Sequence, residues 1–182
     1  MNIIFLDIDG VLNCQLLFEK NVKEVKKELK KQVKKEQISR DDYYKEQLCS
    51  ERISWLNDLC RKAYIKVVIS STWRKNKTVE ELQTILNNSG ATFEIIGFTP
   101  DLRHEGCVRG NEIHQWIQDN KQLLECSYYD FHSYAIIDDD SDMLLWQTDN
   151  FFQTDGYAGL TPNTCYRILR HFQKLGTVPA CH

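Results

Sequence analysis

The chain has 182 residues, of which 42% are hydrophobic and 11% aromatic, and its formal net charge is −3. This composition predicts one globular domain with a substantial core, and the small net charge gives the whole chain no electrostatic attraction to nucleic acid or membrane. No apolar run reaches membrane-spanning length, and two acids interrupt the only candidate signal peptide. Seven scattered cysteines without a C-x-x-C pair favour free thiols, so we expect a soluble, cytoplasmic protein.

The first apolar run, Asn2-Ile3-Ile4-Phe5-Leu6, predicts a strand buried on both faces of a parallel sheet. Asp7 and Asp9 follow it directly, and the two-residue period of a strand gives both side chains the same direction. Gly10 lets the chain turn and keeps the space over the carboxylates free of a side chain. An Asx turn and a helix cap are alternatives. A calcium loop is disfavoured because apolar residues follow where further oxygen ligands would be needed.

Residues 14–48 differ in character from the rest of the chain. Apolar residues recur there at steps of three and four, which predicts an amphipathic helix, at Phe18, Val22, Val25, Leu29 and Val33. Between Phe18 and Gln37, eight Lys against four Glu give a local charge of +4. We expect a small helical cap insertion. Its charge fits either a solvated helix face or a surface that attracts an RNA or DNA end.

Helices and strands alternate through the remainder of the chain. A helix from Ser50 to about Tyr64, with Ser50 as its cap, leads into a second buried strand at Ile65–Thr72 that ends in three hydroxyls. The later elements are a helix at Thr78–Asn88, a strand at Phe93–Phe98, a helix capped by Asn111, strands at Tyr134–Ile137 and Phe151–Asp155, and a closing helix from Thr161 to about Leu175. This order predicts an α/β, Rossmann-like parallel sheet flanked by helices.

Polar side chains follow three of the predicted strands. These residues are Asp7 and Asp9 after the first strand, Ser70 and Ser71 after the second, and Asp138, Asp139 and Asp142 after the fourth. Arg109 opens the helix before the fourth strand. Parallel strands bring their carboxyl ends to one edge of the sheet, which is where open α/β sheets bind ligands. An acid cluster there repels itself unless a cation is present, and all-oxygen ligands favour Mg²⁺.

Each of these assignments has a purely structural alternative. Ser70 and Ser71 would also serve as caps of the next turn, and the acid run would also suit a solvated loop. Arg109 competes with Lys77, Arg74 and Arg103 for the role of the basic residue.

The order of these motifs resembles that of the haloacid dehalogenase-like (HAD) superfamily. In that superfamily Asp-x-Asp is followed by a Ser after a buried strand, a lone basic residue and an acid run after another buried strand, and the match spans nearly the whole chain. More narrowly, four segments are similar to the phosphatase-like domain of Swiss-army-knife RNA repair proteins. They are Ile69–Arg74, Arg109–Ile113, Ile137–Met143 and Gly159–Thr161.

The resemblance implies a role for each motif residue. Asp7 would be the nucleophile that forms an aspartyl-phosphate, and Asp9 would be the general acid and base. Mg²⁺ would bind the Asp7 carboxylate, the Asp9 backbone carbonyl and Asp138, with Asp139 or Asp142 close behind. The spacing leaves open which acid of the run binds metal. The phosphoryl group would be bound by Ser70, Ser71, Gly10 and Arg109.

We therefore expect a single domain over residues 1–182 that hydrolyses a phosphomonoester with Mg²⁺, with an RNA or DNA end as the substrate that the resemblance implies. Trp73 and Arg74 are candidate substrate contacts, because an aromatic ring beside a basic group can stack a base and hold a phosphate. Such a Trp more commonly packs its loop against the sheet. Alternatives are a phosphatase of nucleotides or sugar phosphates, and a non-catalytic binding or regulatory module with the same fold.

Overall fold

The computed structural model describes residues 1–14, 47–121 and 133–179. The helical insertion predicted for residues 14–48, with its basic face, therefore lies almost wholly outside the described residues. The predicted boundaries of a single domain over residues 1–182 stay a prediction for the same reason.

Within the described ranges, five strands form one parallel sheet in the order β3-β2-β1-β4-β5. The strands are β1 (Asn2–Leu6), β2 (Ile65–Ile69), β3 (Ile95–Phe98), β4 (Tyr134–Asp138) and β5 (Phe151–Gln153). The central strand, β1, is buried along its whole length, as its continuous apolar sequence predicts. The predicted α/β, Rossmann-like sheet is confirmed.

Helices cover both faces of this sheet. They are α1 (Ser50–Ala63), α2 (Val79–Asn88), α3 (Arg109–Asp119) and α4 (Pro162–Lys174). Helices α1, α2 and α4 contribute to one apolar cluster, which includes Ile4 and Leu6 of β1. Helix α3 contributes to a second cluster on the other face, where the ring of Phe5 packs edge-on against that of Trp116 with centroids 5.4 Å apart. Among the described helices, none has the length and apolarity that a bilayer crossing requires.

Two helices begin where the sequence predicts, and each has a side-chain cap. Thr78 and Glu81 form a reciprocal capping box at α2, and the Thr161 hydroxyl accepts a hydrogen bond from the Thr164 N–H at α4. The five described cysteines are free, as expected.

One predicted helix cap and two predicted boundaries are wrong. Helix α1 begins at Ser50 as predicted, but Ser50 is its first helical residue, so Cys49 is the N-cap, and Cys49 makes no side-chain capping bond. Helix α3 begins at Arg109, two residues before Asn111, because its first N–H groups bond to Asp142 from the loop after β4. Strand β2 ends at Ile69, since the chain then enters a 3₁₀ turn at Thr72–Arg74 with Ser71 as its cap.

Candidate active site

The strand register places the first acid between the ends of two neighbouring strands. Leu6, the last residue of β1, is paired with Ile69 of β2 on one side and with Ile137 of β4 on the other. The next residue, Asp7, donates its N–H to the Ile137 carbonyl (2.9 Å), and Ser70 donates its N–H to the Leu6 carbonyl (2.9 Å). Ser70 and Asp138 therefore lie on opposite sides of Asp7, at the carboxyl edge of the sheet.

Three carboxylates meet at this edge. Asp7, Asp138 and Asp139 each have a carboxylate oxygen within 4.8 Å of the other two. The side chains of Asp7 and Asp138 are buried, and Asp139 is half-buried. Asp139 can lie close to Asp7 and Asp138 because residue 10 is a glycine, since a Cβ added there would lie 2.2 Å from the Asp139 Cγ. The φ of Gly10, +71°, also favours glycine.

The fully charged form of this cluster is energetically unfavourable, because its carboxylates are buried and repel one another. Burial, together with the charge of Asp7, raises the pKa of Asp138 to about 8. Burial also raises the pKa of Asp7, against the opposing effects of Arg109 and of a hydrogen bond with the Ser71 side chain. The pKa of Asp139 is raised by burial and by the nearby charge of Asp7. The site therefore favours a bound cation, which would stabilise the charged carboxylates.

Arg109 supplies one positive charge inside the cluster. Its Nη1 lies 3.3 Å from Asp7 Oδ1 and 3.5 Å from Asp138 Oδ2, and it also donates to the Ser70 carbonyl. Burial opposes its charge, but the two carboxylates keep its pKa raised. Asp142, expected close behind the metal ligands, instead accepts the Arg109 backbone N–H at Oδ2 (3.0 Å) and the Gly110 N–H at its carbonyl (3.2 Å). Asp142 therefore fixes the start of the helix that carries Arg109.

The two serines after β2 differ in their surroundings. Ser70 is fully buried, and its Oγ has no hydrogen-bond partner among the described residues. Ser71 bonds to the Asp7 side chain, and its Oγ accepts the Trp73 N–H at 3.4 Å. A buried hydroxyl without a partner is unfavourable, so Ser70 has an unused donor beside the acid cluster.

Asp9 occupies a different position from the three clustered acids. Its side chain is exposed. Oδ1 accepts a hydrogen bond from Asn13 Nδ2 (2.8 Å), and Oδ2 accepts one from Trp73 Nε1 (3.1 Å). Its carboxylate is not one of the three that converge within 4.8 Å.

Arg74 and Trp73 do not have the surroundings expected of substrate contacts. Arg74 is buried, and its guanidinium donates to four backbone carbonyls, those of Ser70, Ser71, Thr99 and Pro100. It also pairs with Glu112 Oε2 at 2.7 Å. Trp73 is 8% exposed and belongs to the main apolar cluster. The donors of Arg74 hold the loop after β2 together, so its contacts lend no support to the substrate contact, which stays a prediction.

Sequence reasoning gave no role to three residues that support the site. Glu112 anchors Arg74, Asn13 bonds to Asp9, and a Cβ at Gly156 would lie 2.7 Å from Asp139 Oδ2. Asn13 was visible as part of the first motif. Glu112 lies in the family-like segment Arg109–Ile113, but it reads there as an ordinary acid in the first turn of a helix, so its pairing with Arg74 was not predictable.

The residues present fit a divalent cation. The three carboxylates and the single guanidinium give a formal charge of −2, which a divalent ion would neutralise. Asp138 Oδ2 is buried without a hydrogen bond among the described residues, as expected of an atom that serves as a metal ligand. Carboxylate oxygens are the ligands of hard cations such as Mg²⁺.

An open parallel sheet with acids after β1 and β4, a serine after β2 and a basic residue beside them defines a haloacid dehalogenase-like domain. The family model described as "HAD domain in Swiss Army Knife RNA repair proteins" matches residues 3–165, so the chain belongs to that family. Neither the search of curated proteins nor that of solved structures found a match. Family membership supports a HAD-type hydrolase, a class that generally uses a divalent metal.

Proposed function

We propose that this protein is a Mg²⁺-dependent phosphomonoester hydrolase that works through an aspartyl-phosphate at Asp7. The observation that carries the proposal is the convergence of the Asp7, Asp138 and Asp139 oxygens within 4.8 Å, with the Arg109 guanidinium beside them. This combination of acceptors and one cation suits phosphoryl transfer, in which catalysis depends mainly on positioning and on stabilising charge.

In the first step, an Asp7 carboxylate oxygen attacks phosphorus and forms the acyl-phosphate bond, while the bond from phosphorus to the ester oxygen breaks. Asp9 gives its proton to the departing oxygen, which leaves as an alcohol. In the second step, a water oxygen attacks the same phosphorus and passes a proton to Asp9. The acyl-phosphate bond then breaks, inorganic phosphate is released and both acids return to their starting states.

The remaining site residues bind and orient the phosphoryl group. Arg109 balances the charge on its oxygens, and the buried Ser70 hydroxyl donates a hydrogen bond to one of them. Asp7, Asp138 and Asp139 would hold Mg²⁺, which when bound neutralises the charge of the acid cluster and of the phosphoryl oxygens. Gly10 keeps a side chain out of the space that Asp139 occupies.

We further propose that the phosphorylated group is an RNA or DNA end. The support for this is the description of the family, which names RNA repair proteins. The predicted basic face of residues 18–37 would favour such a polyanion.

The test is phosphate release with Mg²⁺ or with EDTA, from p-nitrophenyl phosphate, nucleotides and oligonucleotides phosphorylated at the 3′ or the 5′ end. Wild type is compared with Asp7→Asn, which keeps the shape of the side chain but removes the nucleophile. Calorimetric titration of Mg²⁺ into wild type and Asp138→Asn measures the metal site without turnover.

Metal-dependent release that is abolished in Asp7→Asn would support the mechanism, and preference for oligonucleotides would support the substrate. Preference for nucleotides would instead point to a small-molecule phosphatase. Mg²⁺ binding without release from any substrate would contradict the hydrolase and favour a non-catalytic module. Equal Mg²⁺ affinity in Asp138→Asn would contradict the metal site.

A further inference from the structure

The exposed acid of the first motif is held at both of its oxygens. Asn13 Nδ2 donates to Asp9 Oδ1 at 2.8 Å, and Trp73 Nε1 donates to Asp9 Oδ2 at 3.1 Å. The two donors come from different parts of the chain, since Trp73 lies 64 residues after Asp9 in the turn that follows β2. The carboxylate of an exposed Asp usually accepts its hydrogen bonds from water. Two protein donors on the exposed Asp9 therefore call for an explanation.

Both donors are themselves fixed in direction. Asn13 is buried, and its Oδ1 accepts the Gly10 N–H at 3.1 Å, which turns its amide nitrogen towards Asp9. The Trp73 ring is packed in the main apolar cluster, and its backbone N–H bonds to Ser71 Oγ. The loop after β2, which contains Ser70 and Ser71, therefore also sets the direction of the indole N–H.

The chemistry of these donors matters for proton transfer. An indole N–H donates and cannot accept, and the amide nitrogen of Asn13 likewise only donates. Neither can therefore take a proton from Asp9. Two fixed donors also restrict the carboxyl group to one rotamer, which removes an orientational cost from any reaction in which it takes part.

We propose that Trp73, together with Asn13, is a positioning residue that orients the Asp9 carboxyl for proton transfer to the leaving oxygen. This inference rests on the proposed phosphomonoester hydrolysis and adds to it a role for the second-motif loop. Trp73 is thereby a link between the phosphate-binding serines and the acid of the first motif, rather than a platform for a substrate base.

The positioning role of Trp73 predicts how kcat/KM depends on the leaving group of the substrate. A poor leaving group such as an alkoxide needs a proton as it departs, whereas p-nitrophenolate leaves readily without one. The ratio kcat/KM covers events up to leaving-group departure, so it reports this proton transfer and not the later attack of water. Misorientation of Asp9 therefore lowers kcat/KM for alkyl phosphates more than for p-nitrophenyl phosphate.

The decisive variant is Trp73→Phe, which keeps an aromatic ring in the cluster and deletes the N–H. We expect kcat/KM to fall about tenfold for alkyl phosphates and less than about twofold for p-nitrophenyl phosphate. A plot of log(kcat/KM) against leaving-group pKa becomes steeper as a result. Because both substrates are measured on the same sample, partial unfolding of the variant cancels in the ratio.

Trp116→Phe is the matched control. Trp116 is also buried, at 6% exposure, but it packs against Phe5 on the face of the sheet that α3 covers. Its replacement is expected to leave the leaving-group dependence unchanged. In an Asp9→Ala background, Trp73→Phe should add no further steepening, because the group that it positions is absent.

The hydrogen bond is tested separately from turnover. The chain contains four Trp residues, and each indole N–H gives one NMR cross-peak, so the Trp73 peak is identified by its loss in Trp73→Phe. We expect Asp9→Ala to shift that peak. An unshifted peak would overturn the contact, and an unchanged slope in active Trp73→Phe would overturn the positioning role alone. Absence of any hydrolysis by wild type would overturn the proposed function, and with it the catalytic role, while a shifted peak would still support the contact.

Discussion

Glu112→Gln is expected to lower the free energy of unfolding by about 3 kcal/mol. The Glu112 side chain is 0% exposed, and it pairs with the Arg74 guanidinium, whose side chain is 4% exposed, at 2.7 Å. Its other oxygen accepts the Leu102 N–H at 2.9 Å. Gln has the same shape, but it removes the negative charge and sets its amide N–H₂ against one of two donors, the Arg74 guanidinium or the Leu102 N–H.

The expected loss of unfolding free energy depends on the hydrogen bonds that Arg74 keeps in the variant. Breaking a buried ion pair costs about 3–5 kcal/mol, because a charge is left buried without its partner. Arg74 keeps four backbone carbonyls as acceptors, so the lower end of that range applies. In a domain of this size, about 3 kcal/mol corresponds to a fall in Tm of roughly 6–12 °C.

Urea and thermal unfolding followed by circular dichroism measure this change, with Glu94→Gln as the control. Glu94 pairs with Lys66, but the two side chains are 59% and 39% exposed, so the same substitution is expected to cost about 0–1 kcal/mol. A loss below about 1 kcal/mol in Glu112→Gln, or equal losses in both variants, would refute the reasoning.

Two further predictions concern the site and the pH dependence of stability. Gly10→Ala is expected to lower both Tm and Mg²⁺ affinity, because the new Cβ would meet the Asp139 carboxylate. Gly90→Ala is the control, since Gly90 also has a positive φ but has open space around it. Thermal melts and calorimetry compare the two variants, and equal effects would contradict the steric argument. Burial lowers the pKa of His171 from 6.5 in the folded protein. As the pH falls below 6.5, the unfolded chain therefore binds a proton at this residue more readily than the folded chain, and stability is lost. His171→Gln should lack that loss in urea unfolding between about pH 8 and pH 5.5, and parallel pH profiles for variant and wild type would argue against it.

Local sequence signals predicted the elements well because the interactions behind them are local. Helices were predicted to start at Thr78 and at Thr161, and at each start the threonine hydroxyl accepts a hydrogen bond from a backbone N–H three residues further along. Continuous apolar runs indicated β1 and β4, since strands buried on both faces need no alternation. The start of α3 was missed because its N–H groups bond to Asp142, 33 residues further along the chain.

The candidate site, like the fold, was predictable from the sequence only in part. The types and order of its residues, from Asp7 and Asp9 to Asp138, are written in the sequence, and the rule that parallel strand ends share one edge was enough to expect an acid cluster. The neighbours of each side chain were not predictable. Arg74 was expected to contact substrate but is buried against Glu112, and the Trp73 indole N–H was found to bond to Asp9.

By itself, the sequence determined the α/β alternation, the approximate positions of the helices and strands, and the set of acids and serines that could carry phosphoryl chemistry, with four basic residues as candidates for their partner. The tertiary structure alone decided which of these side chains meet. Contacts such as Arg109 with Asp7 and Trp73 with Asp9 join residues 102 and 64 positions apart. The physical reason is that the register of the sheet and the packing of its helices set these distances, and both depend on the whole chain at once.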